Sequence, residues 1–174
     1  MNIYLIFLTT IFLSFNHNAQ QIPAPCSSPE SNQFDFWVGE WNLEWKDQSG
    51  NIFNGTNSVR KILGGCVIEE NFTGGGNPAF KGKSVSVFNP ALNRWRQTWV
   101  DNQGGYLDFT GAFTDDKMVL SRSFQTTEGE KIFQRMVFYN ISSDSLTWDW
   151  EISADEGVTW SLKWRINYKR KIGG

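Results

Sequence analysis

The chain has 174 residues and a formal net charge of −2. That is enough length for one domain with a substantial core, and it lacks the basic footprint that nucleic acid requires. Nine Trp and fourteen Phe are an unusual load; each ring taken out of water covers roughly 150–250 Å2, so a few short strands can build a stable core from them.

Residues 1–19 read as a signal peptide, because residues 3–15 are almost wholly apolar yet too short for a comfortable membrane span. Cleavage is expected near Ala19 and Gln20, which makes the mature chain secreted or periplasmic, with no membrane span after cleavage. An uncleaved N-terminal anchor is the alternative. Residues 20–33 are rich in Pro and Ser and form an extended leader, and residues 34–171 form the barrel domain described below. Cys26 and Cys66 are the only cysteines. An even count in an exported chain favours a disulfide, tying the leader to the wall; two inert buried thiols are the alternative.

Strand patterns begin at Phe34. Trp37, Gly39, Trp41, Leu43 and Trp45 alternate with mostly polar residues, which is the period of a strand with one buried face. Further strands are predicted over residues 57–63, 66–72, 83–88, 94–101, 106–113, 118–124, 131–139, 146–153 and 158–170. Gly, Asn, Asp and Ser clusters mark the turns between them. No segment carries helical periodicity over three turns. Ten strands joined in sequence order form a meander, and a long meander removes its open edges by closing. The predicted fold is therefore all-β, a closed antiparallel meander barrel of about ten strands. A two-sheet sandwich is the alternative.

On the last strand Trp160, Leu162, Trp164, Ile166, Tyr168 and Arg170 share one parity. A first-strand Gly39-x-Trp41 with a last-strand Arg170 resembles the calycin barrels, the lipocalins and their relatives. That resemblance implies that Trp41 plugs the barrel base and Arg170 packs across it, a closure role rather than a catalytic one. A solvated tail residue is the alternative for Arg170. A second resemblance covers nearly the whole mature chain. Phe34 to Trp41, Gly65 to Glu70, Gly82 to Ser84 and Trp95 to Asp101 are similar to the DUF1579 family of bacterial exported proteins. It implies a lipocalin-like barrel and export, and recurring positions at Trp37, Trp41, Glu70, Ser84, Gln97, Trp99 and Asp101.

Ser153, Asp155, Gly157, Thr159 and Trp160 complete an Asp-box pattern. One copy cannot make a propeller, so it reads as hairpin-turn chemistry: the Asp accepts from turn amides, the Gly takes positive φ, and the Trp packs beneath.

The strand over residues 94–101 is the most informative for function. Trp95, Gln97, Trp99 and Asp101 share one face, and an inward Trp face carries the amide and the carboxylate inward with it. Buried polar groups need partners, and Arg135 or Arg122 could supply the charge. Apolar walls with a few convergent polar groups are the make-up of a ligand pocket; a filled core with a polar network is the alternative. The candidate ligand-binding residues are Ser84, Trp95, Gln97, Trp99, Asp101, Arg135, Trp148 and Trp150. Only one of Glu69 and Glu70 can point inward, where it could pair with Asp101 for acid–base work.

The only histidine is His17, inside the expected signal peptide. The mature chain then has no imidazole for a Ser-His-Asp triad, for zinc or for haem, and no metal or cofactor is expected. The leading reading is a barrel whose partner is a small hydrophobic or aromatic ligand, with a cavity of roughly 300 Å3 or more. The alternatives are a carboxylate enzyme acting on a sugar or lipid-like substrate, and carbohydrate binding by exposed aromatics.

Overall fold

Alternation of apolar and polar residues is realised in ten strands: β1 (Gly39–Lys46), β2 (Ile52–Ile62), β3 (Val67–Thr73), β4 (Lys81–Asn89), β5 (Arg94–Asp101), β6 (Tyr106–Thr114), β7 (Lys117–Gln125), β8 (Lys131–Tyr139), β9 (Ser145–Ser153) and β10 (Ser161–Arg170). The computed structural model describes residues 26–171; the expected signal peptide and residues 20–25 of the leader lie outside them. Each strand pairs antiparallel with the next, and β10 returns to β1 to close the barrel, so the sandwich alternative is excluded. In the closing pair Trp41 lies opposite Arg170 and Leu43 opposite Tyr168.

Strand parity fixes which residues meet inside. Trp41 and Leu43 on β1, Ile68, Glu70 and Phe72 on β3, Trp95 and Gln97 on β5, and Ile166 and Tyr168 on β10 are all buried. One end of the barrel is sealed. Residues Asp35–Trp37 form a 3-10 turn instead of strand, because Trp37 N–H bonds back to Phe34 O and Val38 N–H to Asp35 O. Gly39, at φ 144°, then turns the chain into β1. Trp37 was expected on the first strand; it lies instead across the barrel end, stacked on Phe34 and edge-on to Phe138. Burying a ring of this size is worth about 4–6 kcal/mol at 25 cal/mol per Å2, before conformational entropy is subtracted.

Arg170 packs on Trp41 across the β1–β10 pair. The guanidinium lies 4.1 Å from the Trp41 ring. Its nitrogens donate to Val38 O at 2.8 Å, Phe36 O at 3.3 Å and Ser143 O at 2.6 Å. A Cβ on Gly39 would stand 2.0 Å from Arg170 Nη1, so only glycine leaves room for this contact. The Trp41 indole N–H donates to Trp37 O at 2.8 Å, joining the plug to the wall. Cys26 and Cys66 form a disulfide with Cα atoms 5.1 Å apart.

Two further expectations are corrected. β2 begins at Ile52, five residues before the expected start, because residues 52–56 pair fully with β1. Trp160 does not belong to the inner face of β10, which starts at Ser161. It packs in the Asp-box turn, where its indole N–H donates to Gly157 O and Arg135 lies over its ring at 4.0 Å. The box itself forms as its sequence implies: Asp155 accepts from Thr159 N–H at 2.9 Å, and Gly157 takes φ 88°.

Candidate functional site

The inner face leaves a cavity of about 190 Å3 above the plug. Its floor holds Trp37, Phe138, Ile166 and Tyr168, and its walls hold Phe72, Phe80, Trp99, Phe109, Trp148, Trp150 and Trp164, among others. The rings brace one another: Trp148 meets Trp164 edge-on at 5.5 Å, Phe109 meets Trp150 at 5.7 Å, and Phe72 meets Trp164 at 5.9 Å. Gly82 provides the bed for Trp99, because a Cβ there would come within 1.9 Å of the indole. Trp99, Trp150 and Trp164 are half-buried, which places the way in at the end opposite the plug.

Only a few polar groups reach this apolar volume. Glu70, 5 % exposed, carries the one carboxyl deep in the barrel among the described residues. Its Oε1 accepts from Asn57 Nδ2 at 2.6 Å and its Oε2 from Ser84 Oγ at 2.6 Å. Burial pushes the carboxyl up to about 7, against the hydrogen bonds from Ser84 and Asn57, which favour the charge. Asn57 Nδ2 also donates to the Tyr168 hydroxyl oxygen at 3.2 Å. Gln97 lines the cavity and donates to Ser86 Oγ at 2.9 Å.

Asp101 stands at the mouth. Its Oδ1 accepts from Gln103 and Gly105 N–H, and its Oδ2 from the Trp99 indole at 3.0 Å. Burial raises this carboxyl, but donation from Gly105, Trp99 and Gln103 outweighs it, so the group sits below the ordinary aspartate value. Its role is to close the β5–β6 turn and hold the Trp99 ring. Glu70 and Asp101 thus face one cavity, as the acid–base alternative requires, yet every oxygen of both is already accepting a hydrogen bond.

The fold gathers Gln97, Trp99, Asp101, Trp148 and Trp150 around the cavity. Ser84 is displaced one step, behind Glu70. Trp95 is at the sealed end, edge-on to Phe34, where it packs the plug. Arg135 lies outside the wall, because Met136 and Phe138 take the inner parity of β8; there it pairs with Glu151 and stacks on Trp160. Arg122 has the inner parity of β7 but sits against Phe124 at 5.2 Å and does not line the cavity. The sequence reading missed Trp37, Trp164, Tyr168 and Asn57 as site residues. The parity of Trp164 and Tyr168 was visible; their convergence with Glu70 required the barrel register. None of the nine tryptophans is exposed, so carbohydrate binding by exposed aromatics would fall to other rings, such as Phe53, Tyr106 and Phe124.

The profile described as "Protein of unknown function (DUF1579)" matches residues 28–170. The chain belongs to the DUF1579 family. No curated protein matches this DUF1579 chain. Among solved structures it is similar to the protein titled Rv2717c from M. tuberculosis, at 12% identity and a TM-score of 0.53, over 83% of this chain and 99% of that one. At that identity the likeness shows that the DUF1579 barrel shares a fold with that protein, and nothing more.

Proposed function

We propose that this protein is an exported binding barrel that holds one small, mainly apolar or aromatic molecule above its plug. The observation that carries the reading is the cavity of about 190 Å3, walled by aromatic rings and reached from the end opposite the plug. It is smaller than the roughly 300 Å3 typical of drug-sized ligands. An apolar cavity of about 150 Å3 accepts benzene, so this one suits a single substituted ring or a compact bicyclic. Export is supported by the apolar run of residues 3–15 and by the Cys26–Cys66 disulfide, a bond that persists in oxidising compartments.

Native mass spectrometry of the protein purified from its own host is the direct test, with a co-purifying molecule of about that size as the expected result. Toluene provides a second arm. A ligand that binds only the folded state raises thermal stability by mass action, about 2.7 kcal/mol at a hundredfold excess over Kd. Toluene should therefore raise the Tm of the native protein and leave Leu107→Trp, whose new indole fills the cavity, unchanged. No adduct and no Tm shift would remove the reading.

A further inference from the structure

The polar floor of the cavity is organised around one proton that no described residue accepts. Glu70 Oε1 accepts from the Asn57 amide in either charge state, because a protonated carboxyl carries its proton on Oε2, toward Ser84 Oγ. This orients the Asn57 amide with Nδ2 toward Glu70, and the same nitrogen reaches the Tyr168 oxygen at 3.2 Å. The Trp37 indole N–H faces that oxygen as well, without closing a hydrogen bond. Two donors therefore converge on the phenol oxygen, and its own proton must point elsewhere. No described residue accepts it, and Tyr168 lines the cavity. Burial, with the Glu70 carboxyl nearby, pushes the phenol well above its ordinary value, so the proton stays in place.

We infer that the Tyr168 hydroxyl is a hydrogen-bond donor site for an uncharged acceptor, the carbonyl of a small aromatic ketone, aldehyde, ester or amide. The inference rests on the cavity reading above and names the ligand chemistry within it. A buried donor with no partner is costly, and a ligand oxygen relieves that cost while the rings take up the apolar remainder. Charge decides against an anion. The titratable groups lining the cavity are Glu70, Asp101 and Tyr168, all acidic, and no Lys or Arg is among the lining residues. A cation would find aromatic faces, but at the floor it would meet the Tyr168 proton, and the Asp101 oxygens at the mouth already accept from Trp99, Gln103 and Gly105.

Four probes of nearly one shape separate these cases: acetophenone, its hydrocarbon isostere α-methylstyrene, benzoate and benzamidinium. Affinities are measured by calorimetry on the wild-type protein and on Tyr168→Phe. Acetophenone should lose about tenfold in affinity in Tyr168→Phe, the worth of one neutral hydrogen bond to a buried group. α-Methylstyrene should change by less than twofold, which also shows that the variant is folded. Equal losses for both, or no loss for acetophenone, overturn the donor assignment while leaving the cavity reading intact. Tightest binding of benzoate or benzamidinium overturns it too. If none of the four binds the wild-type protein, the cavity reading fails and this inference with it. A readout without mutation is the infrared C=O stretch of bound acetophenone: it should lie below its value in alkane, and a stretch equal to the alkane value overturns the assignment.

Discussion

Glu70 is the residue whose chemistry is most altered by its place in the fold. It sits among Asn57 from β2, Ser84 from β4 and the Tyr168 phenol from β10, with no cation against it. Desolvation therefore dominates, and its carboxyl ionises at about 7 rather than 4.5. The folded state then binds a proton that the unfolded chain has released between about pH 4.5 and 7. Stability from this group is fully present below the lower value and is lost as pH rises through the upper one, by about 3 kcal/mol in all. Glu70→Gln keeps the shape: its Oε1 can accept from Asn57, and its Nε2 can donate to Ser84 Oγ. The variant should be more stable than the wild type by about 1–3 kcal/mol at pH 8 and show no such advantage at pH 4.5. Urea unfolding at the two pH values checks this, and a variant advantage that does not grow with pH would contradict it.

At the scale of elements, closure depends on the β1–β10 seam and the plug laid across it. Arg170 joins them, since one guanidinium stacks on Trp41 and donates to carbonyls of residues 36, 38 and 143. A lysine carries the charge but lacks the planar fork, so it cannot serve three acceptors while stacking. Arg170→Lys should cost about 2–3 kcal/mol, read as a lower urea midpoint with an unchanged m value; a loss under about 0.5 kcal/mol would show that the plug is held by its rings alone. Elements of this kind were legible in the sequence because period-two alternation is local: eight of the ten strands begin within three residues of their expected positions, and the Trp41–Arg170 pair could be read from parity and resemblance together. Trp37 and Trp160 were misplaced because parity cannot show where a strand stops. The 3-10 turn at Asp35–Trp37 stands where the alternation already runs and β1 opens only at Gly39, while the Asp-box turn ends only at Trp160. Arg135 was misread for a related reason: Lys131 to Tyr139 contains Arg135, Met136, Val137 and Phe138 in a row, so its inner face is set only by pairing with β7 and β9. The Glu70–Asn57–Tyr168 cluster lay beyond any local pattern, because its members are 13 and 111 residues apart along the chain and meet only through the closed register.

For the whole molecule, the barrel divides along its axis into a sealed half and an open one. The sealed end concentrates the plug, the Trp41–Arg170 contact and the disulfide, while the cavity and its half-buried rings occupy the other half. A long-range cross-link at the sealed end acts chiefly on the unfolded chain. The disulfide joins residues 40 positions apart and encloses the plug, β1 and β2. In the chain-entropy description a loop of that length reduces the freedom of the unfolded state by about 4 kcal/mol, a large share of the roughly 5–15 kcal/mol that a domain typically has. The double variant Cys26→Ser, Cys66→Ser should therefore unfold at markedly lower urea while keeping the native near-ultraviolet signal of its packed indoles in water, because Phe34, Trp37 and Phe138 hold the plug by direct contact. If that signal were lost in water, the cross-link would instead be needed to hold the plug in the folded state, and the cavity floor, which includes Trp37, would depend on an oxidising compartment for its shape.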